Sequence, residues 1–138
     1  MSNLTSTIDL SRPMSFLRLT LIADAAASGA TGLLILVGGG LLEGLLGISA
    51  TLLREAGFIL LPYVAFVAYI GVRERPARAA VWAIIVCNAL WTAASVLLLV
   101  GHWIAPTALG YAFVIGQALI VAVFGGLQYA GLQRQIAA

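Results

Sequence analysis

The run LTLIADAAASGATGLLILVGGG, residues 19–40, decides the fold of this chain. A helix of about 20 apolar residues is long enough to cross the hydrocarbon core of a bilayer. The run contains one acidic residue, Asp24, where a lipid-spanning helix normally carries none. Ionisable groups inside a span are costly, and by default they indicate a functional site. The stretch therefore predicts a membrane-spanning helix and makes Asp24 the main functional candidate.

Composition extends this prediction to the whole chain. Of 138 residues, 62% are hydrophobic and 9% are charged, against about 25% charged in soluble domains. We therefore interpret the chain as an integral membrane protein. Its seven basic residues are all arginines, mainly in short loops, which membrane topology explains without a nucleic-acid partner. The single cysteine, Cys87, excludes a disulfide within the chain and a cysteine-based metal site.

Four apolar runs joined by short loops predict one domain, an all-α integral membrane four-helix bundle. The predicted spans cover about residues 16–42, 50–72, 79–101 and 108–132. Ser49 is placed to cap the second span, and Pro62 in its middle predicts a kink. The three glycines at 38–40 are expected to loosen the far end of the first span.

The placement of arginines predicts the orientation of the bundle. Cytoplasmic loops carry an excess of positive charge. In a four-span arrangement Arg54 falls on one side, and six arginines fall on the other: Arg12, Arg18, Arg73, Arg75, Arg78 and Arg134. We therefore expect both termini to be cytoplasmic.

Polar residues recur in the first and third spans at a constant shift of 64 positions. The spacing places each trio on one helix face, Asp24, Ser28 and Thr31 in one span and Asn88, Thr92 and Ser95 in the other. This pattern predicts two parallel copies of a helical hairpin, related by an axis along the membrane normal. The alternative is chance recurrence in apolar sequence of low complexity.

The same trios predict where a site forms. Asp24 and Asn88 lie at similar depths, so we expect them to meet, with Ser28 and Thr92 beside them. Tyr63, and either Gln117 or Gln128, are the side chains expected to complete this polar cluster. Interhelical polar contacts also serve as structural glue, worth about 0.6 to 2 kcal/mol each. An ionisable group is rarely needed for glue, and Asp24 is therefore interpreted as a ligand or proton site.

Two further candidates lie toward the opposite side of the membrane from most arginines. Arg54 is expected to snorkel to the surface or to pair with Glu43, and the sharper hypothesis is an outer gate or lipid-headgroup site. His102 lies beside Trp103 and is interpreted as an interface anchor. One histidine cannot supply two haem ligands, and no cluster of metal ligands accompanies it, so neither cofactor nor metal is predicted.

Familiar catalytic motifs are not found in the sequence. It holds no glycine-rich phosphate loop with its lysine, no serine nucleophile elbow and no helix of the His-Glu metalloprotease type. We therefore expect no enzymatic activity.

Several short segments carry a family resemblance. ADAAASGATGLL (23–34), NALW (88–91), PTALGYAF (106–113) and LQYAGL (127–132) resemble a group of uncharacterised small four-helix bacterial membrane proteins. The resemblance implies a four-helix fold in the bacterial inner membrane and brings no activity. The layout is also similar, at a distance, to that of small multidrug resistance transporters, whose first-helix glutamate binds protons and cationic drugs. Here the acid is Asp24, and the arginine bias disfavours dual topology.

The leading functional hypothesis is a small non-catalytic binding or accessory subunit of the inner membrane. It would contact membrane lipid and pack with itself or with a larger membrane complex. The rival hypothesis is a proton- or cation-coupled small-molecule transporter or channel centred on Asp24.

Overall fold

The computed structural model describes residues 15–137, with side chains described as far as Arg134, and this part consists of helices joined by short loops. Its five helices are α1 (Phe16–Val37), α2 (Gly39–Leu46), α3 (Ala50–Val72), α4 (Arg78–Val100) and α5 (Ala108–Ala137). Four of them, α1, α3, α4 and α5, are long and apolar enough to cross a membrane. The predicted fold class is confirmed. Arg12, used above for the orientation, lies outside the described residues.

The far end of the first predicted span differs from the prediction. Instead of one helix to about residue 42, α1 ends at Val37 and a short helix, α2, begins at Gly39. The break falls at Gly38, in the glycine run that was expected to loosen this end. Consecutive glycines weaken a helix because they lose more backbone entropy than other residues and bring no side chain to pack. The connection to α3 therefore contains α2, which ends at Leu46 and is followed by Gly47 with a left-handed φ of 69°.

Two serines cap helix starts. The hydroxyl of Ser15 accepts the backbone N–H of Arg18 at 3.2 Å, and that of Ser49 accepts the N–H of Leu52 at 3.1 Å. The predicted Ser49 cap is thus confirmed. Pro62 lies inside α3, which continues on both sides of it, and the kink stays a prediction.

The helices are arranged around a ring in the order α3, α1, α5, α4. α1 packs closely against α3 and also against α5, and α4 packs closely against α5. α3 and α4 approach each other over only a short stretch, and within the described residues the backbones of the diagonal pairs stay apart. A pair of parallel hairpins requires these neighbours, with α1 opposite α4; the repeat itself stays a prediction.

Arginines and glycines bring the helices together at one end of the bundle, called here the arginine end. The guanidinium of Arg18 donates to the carbonyls of Gly71 at 3.2 Å and Val72 at 3.1 Å, the last residues of α3. A cation at a helix C-terminus satisfies free carbonyls and complements the helix dipole. Gly131 of α5 lies against the backbone of Leu17, where an added Cβ would come within 2.9 Å.

At the opposite end, called the α2 end, hydrogen bonds to the backbone carbonyls of α2 join it to the start of α5. The carbonyl of Leu46 accepts the N–H of Thr107 at 3.0 Å, and the Thr107 hydroxyl donates to Leu45 at 2.7 Å. A Cβ added at Gly110 would clash with the Leu46 carbonyl oxygen. The C-terminus of α2 is therefore docked on the start of α5.

The core is divided into two apolar clusters by a polar layer. The first lies toward the arginine end and includes Leu17, Leu21, Val67, Ile84 and Leu132. The second lies toward the α2 end and includes Ile35, Leu46, Leu53, Leu60 and Val114. Many large apolar side chains are exposed on the outside of the bundle, as expected of a lipid-facing surface.

Candidate functional site

The polar layer is built around Asp24, which α1 directs into the bundle. Its side chain is 1% exposed. Ser28 lies one turn further along the same helix face, and its hydroxyl donates to Asp24 Oδ1 at 2.9 Å. The local sequence therefore supplies one partner for the carboxyl group and leaves the second oxygen, Oδ2, facing the other helices.

Each of the other three spanning helices brings one side chain to Oδ2. The Tyr63 hydroxyl of α3 lies 2.8 Å from it, the Asn88 amide nitrogen of α4 lies 3.3 Å from it, and the Gln128 amide nitrogen of α5 lies 2.7 Å from it. Asn88 also donates to Gln128 Oε1 at 2.8 Å, and its own Oδ1 lies 2.7 Å from the Tyr63 hydroxyl. These four residues and Ser28 are called the Asp24 cluster below.

The Asp24 cluster surrounds the carboxyl group with neutral groups. All of the side chains that hydrogen-bond to Asp24 are hydroxyls or amides. The nearest arginine along α1, Arg18, is engaged with the end of α3. The acid is thus stabilised by hydrogen bonds within the membrane-spanning core, with no ion pair at its own oxygens in the described part of the chain.

A second polar group lies closer to the α2 end, between α4 and α5. The indole N–H of Trp91 donates to Gln117 Oε1 at 2.7 Å, and Gln117 Nε2 donates to Ser95 Oγ at 2.9 Å. Gln117 Nε2 also donates to the Val114 carbonyl at 2.9 Å. Trp91, Ser95 and Gln117 are called the Gln117 cluster.

The Gln117 cluster forms one wall of a cleft of about 290 Å³ between α3 and α4. The cleft lies where these helices stand apart, and its other lining is mainly apolar, including Leu52, Ile59, Ala94, Leu98 and Phe113. Glu55 is the one charged residue among the described lining residues. A smaller cavity of about 70 Å³ shares Thr31, Trp91 and Gln117 with the cleft and extends to Ser28. The smaller cavity therefore borders the Gln117 cluster and, at Ser28, the Asp24 cluster.

Most of the predicted site residues are brought into one of these two groups. Asp24, Ser28, Tyr63 and Asn88 meet as expected, and of the two glutamines considered, Gln128 is the one that joins them. Gln117 and Ser95 belong instead to the Gln117 cluster.

The two predicted threonines do not bond across helices. The Thr31 hydroxyl donates to the Ala27 carbonyl and the Thr92 hydroxyl to the Asn88 carbonyl, each at 2.9 Å within its own helix. This bonding to the preceding turn is a common alternative for threonine in a helix. Thr31 nevertheless lines both cavities.

The two candidates toward the α2 end are separate from both polar groups. Arg54 is exposed, so snorkelling and the gate or headgroup site both stay predictions. Glu43, considered as its partner, accepts the backbone N–H of Ala50 at 3.0 Å. His102 is exposed in the turn after α4 and has a left-handed φ of 57°.

Trp91 is the site residue that the sequence prediction did not include. It lies three residues after Asn88 and four before Ser95, so helical spacing places it on the polar face of α4. Its aromatic ring had no visible polar partner in the sequence, since the glutamine that accepts its N–H lies on another helix. Among the described residues, no group of three His, Cys, Asp or Glu side chains is placed to hold a metal ion.

No protein-family model, no curated protein and no solved structure matches this chain. The resemblance to four-helix bacterial membrane proteins stays an expectation drawn from the sequence.

Proposed function

We propose that this chain is a non-catalytic membrane protein that binds a small lipophilic molecule in the cleft between α3 and α4. The observation that carries the proposal is the form of the cleft. Its volume of about 290 Å³ lies near the lower limit of ligand pockets, which are mainly apolar with a few placed polar groups. The cleft lies between two membrane-spanning helices, which suits a ligand that arrives from the lipid phase.

The hydrogen bonds of the polar wall favour one class of ligand head group. In the Gln117 cluster the indole N–H, both amide hydrogens and the Ser95 hydroxyl are already donated, the last to the Trp91 carbonyl at 2.8 Å. The Thr31 hydroxyl is donated as well. What these side chains still offer is acceptor capacity on oxygen. The ligand should therefore bring a hydrogen-bond donor.

The charge of the residues that line the cleft narrows the class of ligand further. Glu55 contributes a carboxylate to the lining, and no arginine is among the described lining residues. A protonated amine would satisfy both the oxygen acceptors and this negative charge. We therefore propose a lipophilic amine, with its aliphatic or aromatic body against Trp91 and Phe113.

A fluorescence titration tests this proposal with octylamine as the probe. The chain has three tryptophans, so replacing Trp82 and Trp103 with Phe leaves Trp91 as the reporter. We expect a saturable change of Trp91 emission with octylamine, a weaker one with octanol and none with octyl sulfate. Glu55→Gln should reduce octylamine binding toward the level of octanol.

A matched pair of variants separates binding in the cleft from partition into lipid. Ala94 lines the cleft, and its neighbour Ala93 is exposed and is not among the lining residues. Ala94→Phe should fill the cleft and abolish the saturable change, whereas Ala93→Phe should leave it intact. Equal responses from these two variants, or no saturable response from the folded parent, would reject the ligand and favour a purely structural accessory role.

A proton-coupled transporter centred on Asp24 is the second candidate. The observation that favours it is position: Tyr63 lies one turn beyond Ile59 of the cleft, and Asn88 one turn before Trp91. The Asp24 cluster therefore lies about one helical turn from the cleft, toward the arginine end. Proton flux into liposomes, dependent on octylamine and lost in Asp24→Asn, would support transport; equal flux in both proteins would reject it.

We further propose the bacterial inner membrane as the location, with both termini cytoplasmic. Arg18, Arg73 and Arg78 lie at the arginine end of the bundle, where α1 begins, α3 ends and α4 begins, and Arg54 lies near the α2 end. This asymmetry supports the orientation through the excess of positive charge in cytoplasmic loops.

A further inference from the structure

We infer that Asp24 is a proton-binding site: its carboxyl group carries a proton on Oδ2, and Tyr63 and Asn88 hold the chain of hydrogen bonds that this proton completes. The inference goes beyond the proposed function and does not depend on any ligand in the cleft. It rests on counting the hydrogens available to the short contacts of the Asp24 cluster.

The Tyr63 hydroxyl makes two short contacts but carries one hydrogen. Its oxygen lies 2.8 Å from Asp24 Oδ2 and 2.7 Å from Asn88 Oδ1. Both of these oxygens are acceptors when the acid is ionised. One of the two contacts would then join two acceptor oxygens with no hydrogen between them, which is unfavourable in a buried site.

A proton on Asp24 Oδ2 removes this conflict. The acid O–H donates to the Tyr63 oxygen, and the Tyr63 O–H donates to Asn88 Oδ1. The Asn88 N–H still donates to Gln128 Oε1, and the Gln128 N–H still donates to Oδ2. Ser28 keeps its bond to Oδ1. Each short contact then has one hydrogen.

Exchanging amide oxygen and nitrogen does not remove the need for the proton. If the Asn88 amide alone is reversed, its oxygen faces Gln128 Oε1 at 2.8 Å. If Asn88 and Gln128 are both reversed, Gln128 Oε1 faces Asp24 Oδ2 at 2.7 Å. If Gln128 alone is reversed, two N–H donors face each other. With an ionised Asp24, every arrangement leaves at least one unfavourable short contact.

The groups around the acid supply no other source of charge compensation. The titratable groups on this side are Tyr63 of α3 and the Cys87 thiol of α4, which lies near Tyr63. α5 presents the neutral Gln128, and α1 presents Ser28. No basic side chain of the described residues hydrogen-bonds to Asp24, so the bound proton is what neutralises the carboxyl group.

Proton release has a structural consequence. If Asp24 were ionised, the Tyr63 hydroxyl would donate its hydrogen to Asp24 Oδ2. Asn88 Oδ1 would then lose the hydrogen bond from Tyr63. The Tyr63 to Asn88 bond is the one side-chain hydrogen bond that joins α3 to α4 within residues 15–134. Loss of the proton therefore removes this bond between α3 and α4, where the two helices have little other contact.

Infrared spectroscopy of the full chain in lipid, prepared with carbonyl-labelled aspartate, tests the inference. The sequence has two aspartates, Asp9 and Asp24, so Asp9→Asn leaves one reporter even where substitution of Asp24 impairs folding. We expect the isotope-shifted band of a protonated carboxylic acid at neutral pH, unchanged in Asp9→Asn and lost in Asp24→Asn. A folded Asp9→Asn protein that shows only the carboxylate bands would overturn the inference.

Tyr63→Phe separates this arrangement from an acid that is merely buried. The variant removes the acceptor of the acid O–H, so the acid band should move in frequency. Tyr111 is exposed on α5, and Tyr111→Phe is the matched control in which the band should stay. A band that is identical in Tyr63→Phe and in the wild type would overturn the assigned hydrogen bond.

Discussion

Replacing Gln128 tests how strongly the polar layer holds α5 to the rest of the bundle. Gln128 is fully buried and makes two interhelical hydrogen bonds, one to Asp24 and one from Asn88. Gln128→Leu keeps a similar volume and removes both. Interhelical hydrogen bonds in membranes contribute about 0.6 kcal/mol on average and about 1.7 at most, so two of them amount to about 1 to 3 kcal/mol.

The free energy of unfolding in mixed detergent micelles, followed by circular dichroism, measures this loss. Gln133 provides a matched control, because it is exposed on the same helix. Gln133→Leu should change the unfolding free energy by much less than Gln128→Leu. Equal values for the two variants would refute the conclusion that the Asp24 cluster stabilises the bundle.

Three further outcomes are expected. Gly110→Ala should destabilise the fold, because its Cβ would meet the Leu46 carbonyl oxygen, whereas Gly116→Ala has open space and should be neutral or slightly stabilising; thermal unfolding in detergent compares them, and equal effects would contradict the docking of α2 on α5. A reporter fused to the C-terminus should be cytoplasmic and one inserted near Trp103 periplasmic, and a mixture of orientations would contradict the proposed topology. Arg18→Met should lower the unfolding temperature by exposing the carbonyls at the end of α3, while Arg54→Met should have little effect.

The spans could be predicted because each is a long apolar run, and short polar loops separate one run from the next. The second predicted span, 50–72, has the same bounds as α3. The third, 79–101, is shifted by one residue from α4. The contact between Asp24 and Asn88 could be predicted because the two residues lie at equal depth in the membrane, each on the polar face of its own helix. Depth and helix face are set by the sequence of each single helix and by the thickness of the bilayer, so they can be predicted without knowing how the helices pack.

The remaining features depend on contacts between helices. The helices are apolar on nearly every side, so no pattern of polar and apolar faces showed that α3 and α4 would stand apart and form the cleft. α2 is held by a backbone hydrogen bond between Leu46 and Thr107, and no side-chain pattern in the sequence predicts such a bond. Thr92 was expected beside Asp24, but its hydroxyl bonds to its own helix, a choice that spacing does not determine.

The central claim is that all four spanning helices meet at Asp24, and a solid-state NMR measurement in lipid tests it directly. Aspartate is labelled with ¹³C at the side-chain carboxyl and glutamine with ¹⁵N at the side-chain amide. Gln128 Nε2 lies 2.7 Å from Asp24 Oδ2, whereas the Gln117 amide is bonded to Ser95 and Val114. We predict magnetisation transfer between the two labels in the wild type and its loss in Gln128→Leu. A folded wild-type protein without such transfer would contradict the account.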